Sequence, residues 1–184
     1  LENCSPTMDW VAKEFVEIQA VAEATFKASA RDAMQNGLSD ADRNELVAEA
    51  GRLGLFDLAL EIAGQGTGRV SNLPQYIAVQ LAERAMSADN YPVAAAFLRP
   101  LLSSGEAVAS QLFAAACLES GTNLATDLSE SAIKAILSDL EMTTRVALVK
   151  LLGRDLRDVI VNDTTADEIA LILQGVNGHG LEVA

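Results

Sequence analysis

Histidine is almost absent from this chain, and the other residues that most often carry chemistry are sparse. There is one histidine, His179, and there are two cysteines, Cys4 and Cys117, in 184 residues. A Ser/His/Asp set or a histidine-ligated metal would have to be built on His179. It lies between glycines in the tail, where fixed geometry and partners are missing. Two cysteines cannot make a disulfide framework. Cys117, in the run LFAAACL, reads as a small buried hydrophobe, and a Cys4–Cys117 bridge would need their Cα atoms within about 7 Å. No catalytic residue, metal ligand or cofactor-binding residue emerges, and the compartment stays open.

Positive charge is also short. Lys and Arg number 13 against 26 Asp and Glu, a formal charge of −13. Phosphate backbones and anionic membrane surfaces both require Lys and Arg, so nucleic acid is not an expected partner, nor is a lipid surface. No uninterrupted apolar run approaches the roughly 20 residues that cross a bilayer, so direct membrane insertion is not expected. Aromatics make up 4% of the chain, which with scattered valines argues against a sheet. The chain opens LENCSPTMDW, without an initiator Met or a signal-peptide pattern, as expected of a fragment or a processed chain.

What is abundant is alanine, in a chain whose residues are 50% hydrophobic. Alanine is the best helix former and lets helices approach closely, so the composition reads as all-α. Residues 1–37 predict one long helix: Ser5 can cap it, Pro6 suits its first position and Gly37 can end it. Met8, Val11, Phe15, Ile18 and Ala22 form one apolar stripe along it. The stripe is expected to pack along its own domain, with an exposed seam for a second copy as the alternative.

Short helices follow. Ser39 caps LSDADRNELVAEAGRLG; LFDLALEIAG is its partner; GQGTG (residues 64–68) is a loop that lacks the strand and Lys-Ser/Thr of a phosphate loop. Pro74 and Pro92 stand at helix entries, and Pro100 bends or ends the helix it sits in. Ser138 with Glu141 and Thr165 with Glu168 have capping-box spacing. Asp40/Asp42 and Asp167/Glu168 resemble acid/base pairs, but each lies at a helix start, where the dipole accounts for it.

Two of these hairpins repeat. Leu46 over Leu81 places Ala50 on Ala85, Phe56 on Tyr91, Ala59 on Ala94 and Ile62 on Phe97, always 35 residues apart. A small residue lets paired helices approach while a ring plugs the gap beside the turn. GLFDLA and DNYPVA, with Leu46 and Leu81, resemble the tetratricopeptide family, whose repeat is about 34 residues. Val47 and Ala82 stand where the family has glycine, and Arg43 and Ala78 where it has tryptophan. A third copy near Gly121-Thr122-Asn123 lacks the ring and the alanine. The resemblance implies a right-handed α-solenoid of short helix hairpins after the long N-terminal helix. The expected layout is one domain over 1–184: helix 1–37, two repeat-like hairpins 38–105, degenerate hairpins 106–175 and a flexible tail 176–184.

Charge is unevenly spread. No Lys or Arg lies between Arg99 and Lys134, whereas Glu106, Glu119, Asp127 and Glu130 do. These four are the candidate contacts for a partner, and an acidic face would steer a basic one. The expected function is therefore a non-catalytic protein-interaction or scaffold domain. It would present a helical-repeat surface to a protein or peptide, with homo-oligomer formation through the N-terminal helix. The alternatives are a helical support domain of a larger exported polymer-acting enzyme and an acidic inhibitor or immunity-type protein.

Overall fold

The structure, a computed structural model, describes residues 6–64, 73–155, 158, 164–167, 169 and 170, with side chains from residue 12 onward. Eight helices and no strand occur among the described residues. They are α1 (Pro6–Asn36), α2 (Asp40–Arg52), α3 (Phe56–Ala63), α4 (Gln75–Ser87), α5 (Tyr91–Leu102), α6 (Ala107–Ser120), α7 (Glu130–Ser138) and α8 (Met142–Leu151). The described residues are all-α, as the alanine content predicts. Contacts gather it into two compact units, Leu1–Arg69 and Val70–Ala184. The boundary falls inside segment 38–105, between the two repeat-like hairpins.

In the first unit α1 ends where Gly37 enters the left-handed region at φ +86°. The Ser39 hydroxyl then accepts the Asp42 amide at 3.2 Å and opens α2. α2 packs on α3, and α1 touches α3. Ala30 is the only wholly buried described residue of α1, and its outer half faces solvent. Phe15, Val16, Ile18 and Val21 are 67%, 63%, 65% and 67% exposed. The described part of the stripe, Phe15, Ile18 and Ala22, therefore does not pack along its own unit. The reason is length: 31 residues run about 46 Å at 1.5 Å each, while α3, with 8, covers only about 12 Å.

The two expected hairpins correspond residue for residue in sequence. α2 and α4 have 13 residues each, and the starts of α2 and α3 lie 35 residues before those of α4 and α5. The turns match as well. The Leu55 amide donates to Ala50 O at 2.9 Å, and the Asn90 amide to Ala85 O at 2.8 Å. Before each of these amides stands a left-handed residue, Gly54 at φ +73° and Asp89 at φ +55°. Ala50, Ala59, Ala85 and Ala94 are fully buried. Small side chains at these four places let the helices of each pair close on one another.

In the second unit helices pack on near neighbours in sequence. α4 lies on α5, α5 on α6, α6 on α7, and α6 also touches α4 and α8. Phe97, Leu98, Phe113, Ile136, Leu137, Leu148 and Val149 form the centre. Pro100 sits inside α5, which closes two residues later at Leu102. The α6 and α8 ends reuse the left-handed exit at Gly121 and Gly153. Left-handed residues thus follow α2, α4, α6 and α8, spaced 35, 32 and 32 residues apart, and a further one, Gly105, follows α5.

The capping-box reading of Ser138 and Glu141 is not what forms. The Ser138 hydroxyl donates backward to Lys134 O and Ala135 O, so it stays with the last turn of α7. Glu141 holds the N-cap position of α8 without a side-chain cap. A serine in a last helical turn has free carbonyls within reach, and these compete with the next helix's amides. Cys4, Ser5, residues 65–68, Glu168, His179 and the tail 176–184 lie outside the described residues.

Candidate functional site

α6 is the hub of the second unit. Ala109, Ser110, Phe113, Ala114, Ala116 and Cys117 are buried on it, so its inner faces bind neighbours on several sides. The remaining strip, Gln111, Ala115, Leu118 and Glu119, repeats at four, three and one residues and lies along one flank. Facing it are Leu140 and Glu141 from the α7–α8 junction and Thr144 from the first turn of α8. Together these seven residues line an open groove with a volume of about 480 Å³. Its floor is apolar: Leu140 is buried, and Ala115 and Leu118 are half-buried. The exposed carboxylates of Glu119 and Glu141 contribute from the two opposite sides.

The α7–α8 side of the groove is fixed by a buried cation. Arg145, 5% exposed, turns back from α8; its Nε donates to Leu140 O at 2.6 Å and its terminal nitrogen to Ser138 O at 3.3 Å. Those carbonyls belong to the end of α7, where a cation offsets the negative end of the dipole. Ser110 adds a second tie. Its buried hydroxyl donates to Asp139 Oδ2 at 2.7 Å, joining α6 to the residue that closes α7. Neighbours thereby hold both sides of the groove.

The four acids expected to meet a partner occupy different situations. Glu106 accepts from Gln75 Nε2 at 2.6 Å and ties the start of α6 to α4. Asp127 lies 3.5 Å from Arg99, which also donates to Leu124 O at 3.0 Å and so secures the α6–α7 connection to α5. Glu130 accepts from Arg154 at 2.5 Å, and Arg154 in turn reaches Asp158 at 3.0 Å. The Arg154 guanidinium holds the Glu130 carboxyl below its ordinary range. Glu119 alone of the four lines the groove. Glu119 and Glu141 have no ion pair or side-chain hydrogen bond among the described residues.

The field of Glu119 extends past the groove. The Tyr91 hydroxyl donates to Asp89 Oδ1 at 3.1 Å, and it titrates above its ordinary value. The Asp89 hydrogen bond is the main cause, with desolvation, the Asp89 charge and the Glu119 charge adding to it. The α4–α5 turn thus extends the negative region beside the groove.

Thr144 escaped the sequence reading, and Glu141 entered it only as a capping-box partner of Ser138. Glu141 precedes Arg145 by four residues, the spacing of a helical ion pair, yet Arg145 turns to the carbonyls of Ser138 and Leu140 instead. The available signal was an acid opening a helix next to an apolar leucine. Elsewhere, Arg31, Met34, Gln35 and Glu61 line a smaller recess of about 260 Å³ in the first unit. Cys117 is a buried free thiol whose pKa is pushed up chiefly by burial, so it is not an activated nucleophile. No group of three or more His, Cys, Asp or Glu side chains among the described residues could hold a metal ion. No described helix is long and apolar enough to cross a membrane. Family models, curated proteins and solved structures give no match to this chain.

Proposed function

We propose that this chain is a non-catalytic interaction domain that binds a protein or peptide partner on the α6–α8 face of its second unit. On this reading α4–α8 are successive turns of a helical-hairpin solenoid, right-handed as the tetratricopeptide resemblance implies. Packing between helices close in sequence supports it, as does the left-handed exit reused after α4, α6 and α8. In such arrays each pair covers its neighbour's apolar face, and recognition uses the extended concave surface that the stacking creates. The observation that carries the proposal is the groove between α6 and α8, which is apolar at its floor and walled on both sides.

The test is capture of partners from native extract by the full chain and by a groove-filled variant, Gln111→Trp. Gln111 is exposed, so the variant should melt as the parent does. A bound protein that is retained by the parent and lost by the variant is the expected result. An identical bound set for both proteins, or nothing bound at low salt, overturns the proposal.

A further inference from the structure

The groove has a chemistry more specific than a surface for proteins in general. Its floor of Ala115, Leu118 and Leu140 offers a short apolar track. Glu119 and Glu141 stand on its opposite sides, and the described lining residues include no Lys or Arg. Elsewhere in this unit Asp127 and Glu130 are matched by Arg99 and Arg154. Two carboxylates without an ion pair among the described residues, over a leucine-lined floor, fit one kind of side chain: a long aliphatic stem with a cationic head. A carboxylate-bearing or purely apolar segment would either meet like charge or leave both acids unanswered.

We infer that the α6–α8 groove receives an arginine or lysine side chain of an extended partner segment. Its stem lies along Leu118 and Leu140, and its head is held between Glu119 and Glu141. The inference rests on the interaction reading above and names the occupant. Gln111 and Thr144, at the groove's polar edges, are placed to meet the segment's backbone amides or carbonyls. Arginine suits the site better than lysine, because its planar fork can answer two carboxylates at once.

The experiment uses the isotopically labelled full chain and three pools of short peptides with randomised flanks, whose central residue is arginine, norleucine or glutamate. The arginine pool is expected to shift the resonances of Ala115, Leu118 and Thr144, and the other two pools are not. Each of Glu119→Gln and Glu141→Gln should weaken binding of the arginine pool by about tenfold. Glu83→Gln, an exposed acid on α4, should change nothing. Raising salt from about 25 mM to about 250 mM should weaken the interaction further. Equal shifts from the norleucine pool, binding unchanged in both glutamine variants, or no groove shift from any pool at low salt would each overturn the inference. If extract capture survives undiminished in the double glutamine variant, the interaction reading stands and the basic occupant falls. If the parent itself captures nothing, both fall.

Discussion

The hairpins α2–α3 and α4–α5 share a chain path, yet they bury different positions. Both turn through a left-handed residue, both donate the same turn amide five residues back, and both seal the turn with buried alanines. In the first, Phe56 is packed away while Leu46 is only half-covered; in the second, Leu81 is buried and Tyr91 keeps its hydroxyl at the surface. α3 stops after 8 residues, whereas α5 runs for 12. α5 has α4, α6 and α7 against it, and α3 has α2 and α1. The turn residues set the hairpin, and the neighbours set which of its side chains leave water.

Deep truncations should break the comparison most. Phe97 and Ile62 hold equivalent positions and both are fully buried. Phe97→Ala should lose about 3–5 kcal/mol and Ile62→Ala about 2–5 kcal/mol in chemical denaturation, since each opens a cavity. Parent-like denaturation of Phe97→Ala would show that the additional neighbours of α5 add nothing to the stability of its hairpin. Enlarging the alanines comes next. Ala59→Leu and Ala94→Leu should each cost about 1–3 kcal/mol by overpacking the hairpin. Unchanged melting of both would remove the shared close approach on which the equivalence stands.

A smaller effect is expected at the turn itself. A Cβ on Gly54 would meet no atom within 4 Å, so only its φ of +73° opposes a side chain. Gly54→Ala should therefore cost about 1 kcal/mol, and Asp89→Ala should lose a similar amount because aspartate tolerates the left-handed region better than alanine. If thermal melts show a loss at Gly54 but none at Asp89, the two turns are not energetic equals.

The smallest effect concerns pH and separates the hairpins. Glu49 accepts two bonds from Arg52, at 2.6 and 2.8 Å, whereas Arg84 and Ser87 stand at the corresponding places in α4. These hydrogen bonds hold the Glu49 carboxyl below its ordinary range. A depressed carboxyl contributes stability above its unfolded pKa and gives it up as pH falls through the folded value. Glu49→Gln should therefore flatten the acid limb of the melting profile slightly, and an unchanged profile would show that the pair is idle.

Much of this fold was legible because hairpin chemistry is local. The 35-residue offset, the Ser39 cap, the Gly37 stop and the alanine pairs depend on residues close in sequence, and the helix bounds follow them. The exposed half of α1 was not legible, because a stripe of Phe15 and Ile18 reads alike whether or not a neighbour is long enough to cover it. The groove was half-legible. Glu119 stood out in a stretch without cations, but Glu106, Asp127 and Glu130 looked the same until Gln75, Arg99 and Arg154 reached them. Glu141 and Thr144 arrive from another helix through tertiary packing, which no spacing rule encodes.

The uncovered half of α1 bears on how the molecule opens. Between residues 12 and 22 the backbone relies on its own helical bonds and on the packed turn around Ala30, with no tertiary packing to add cooperativity. Amides there should exchange with solvent ahead of those in α5, unwinding from the outer end inward. Any surface that settled on Phe15, Ile18 and Val21 would slow that exchange before it altered a single contact in the rest of the chain.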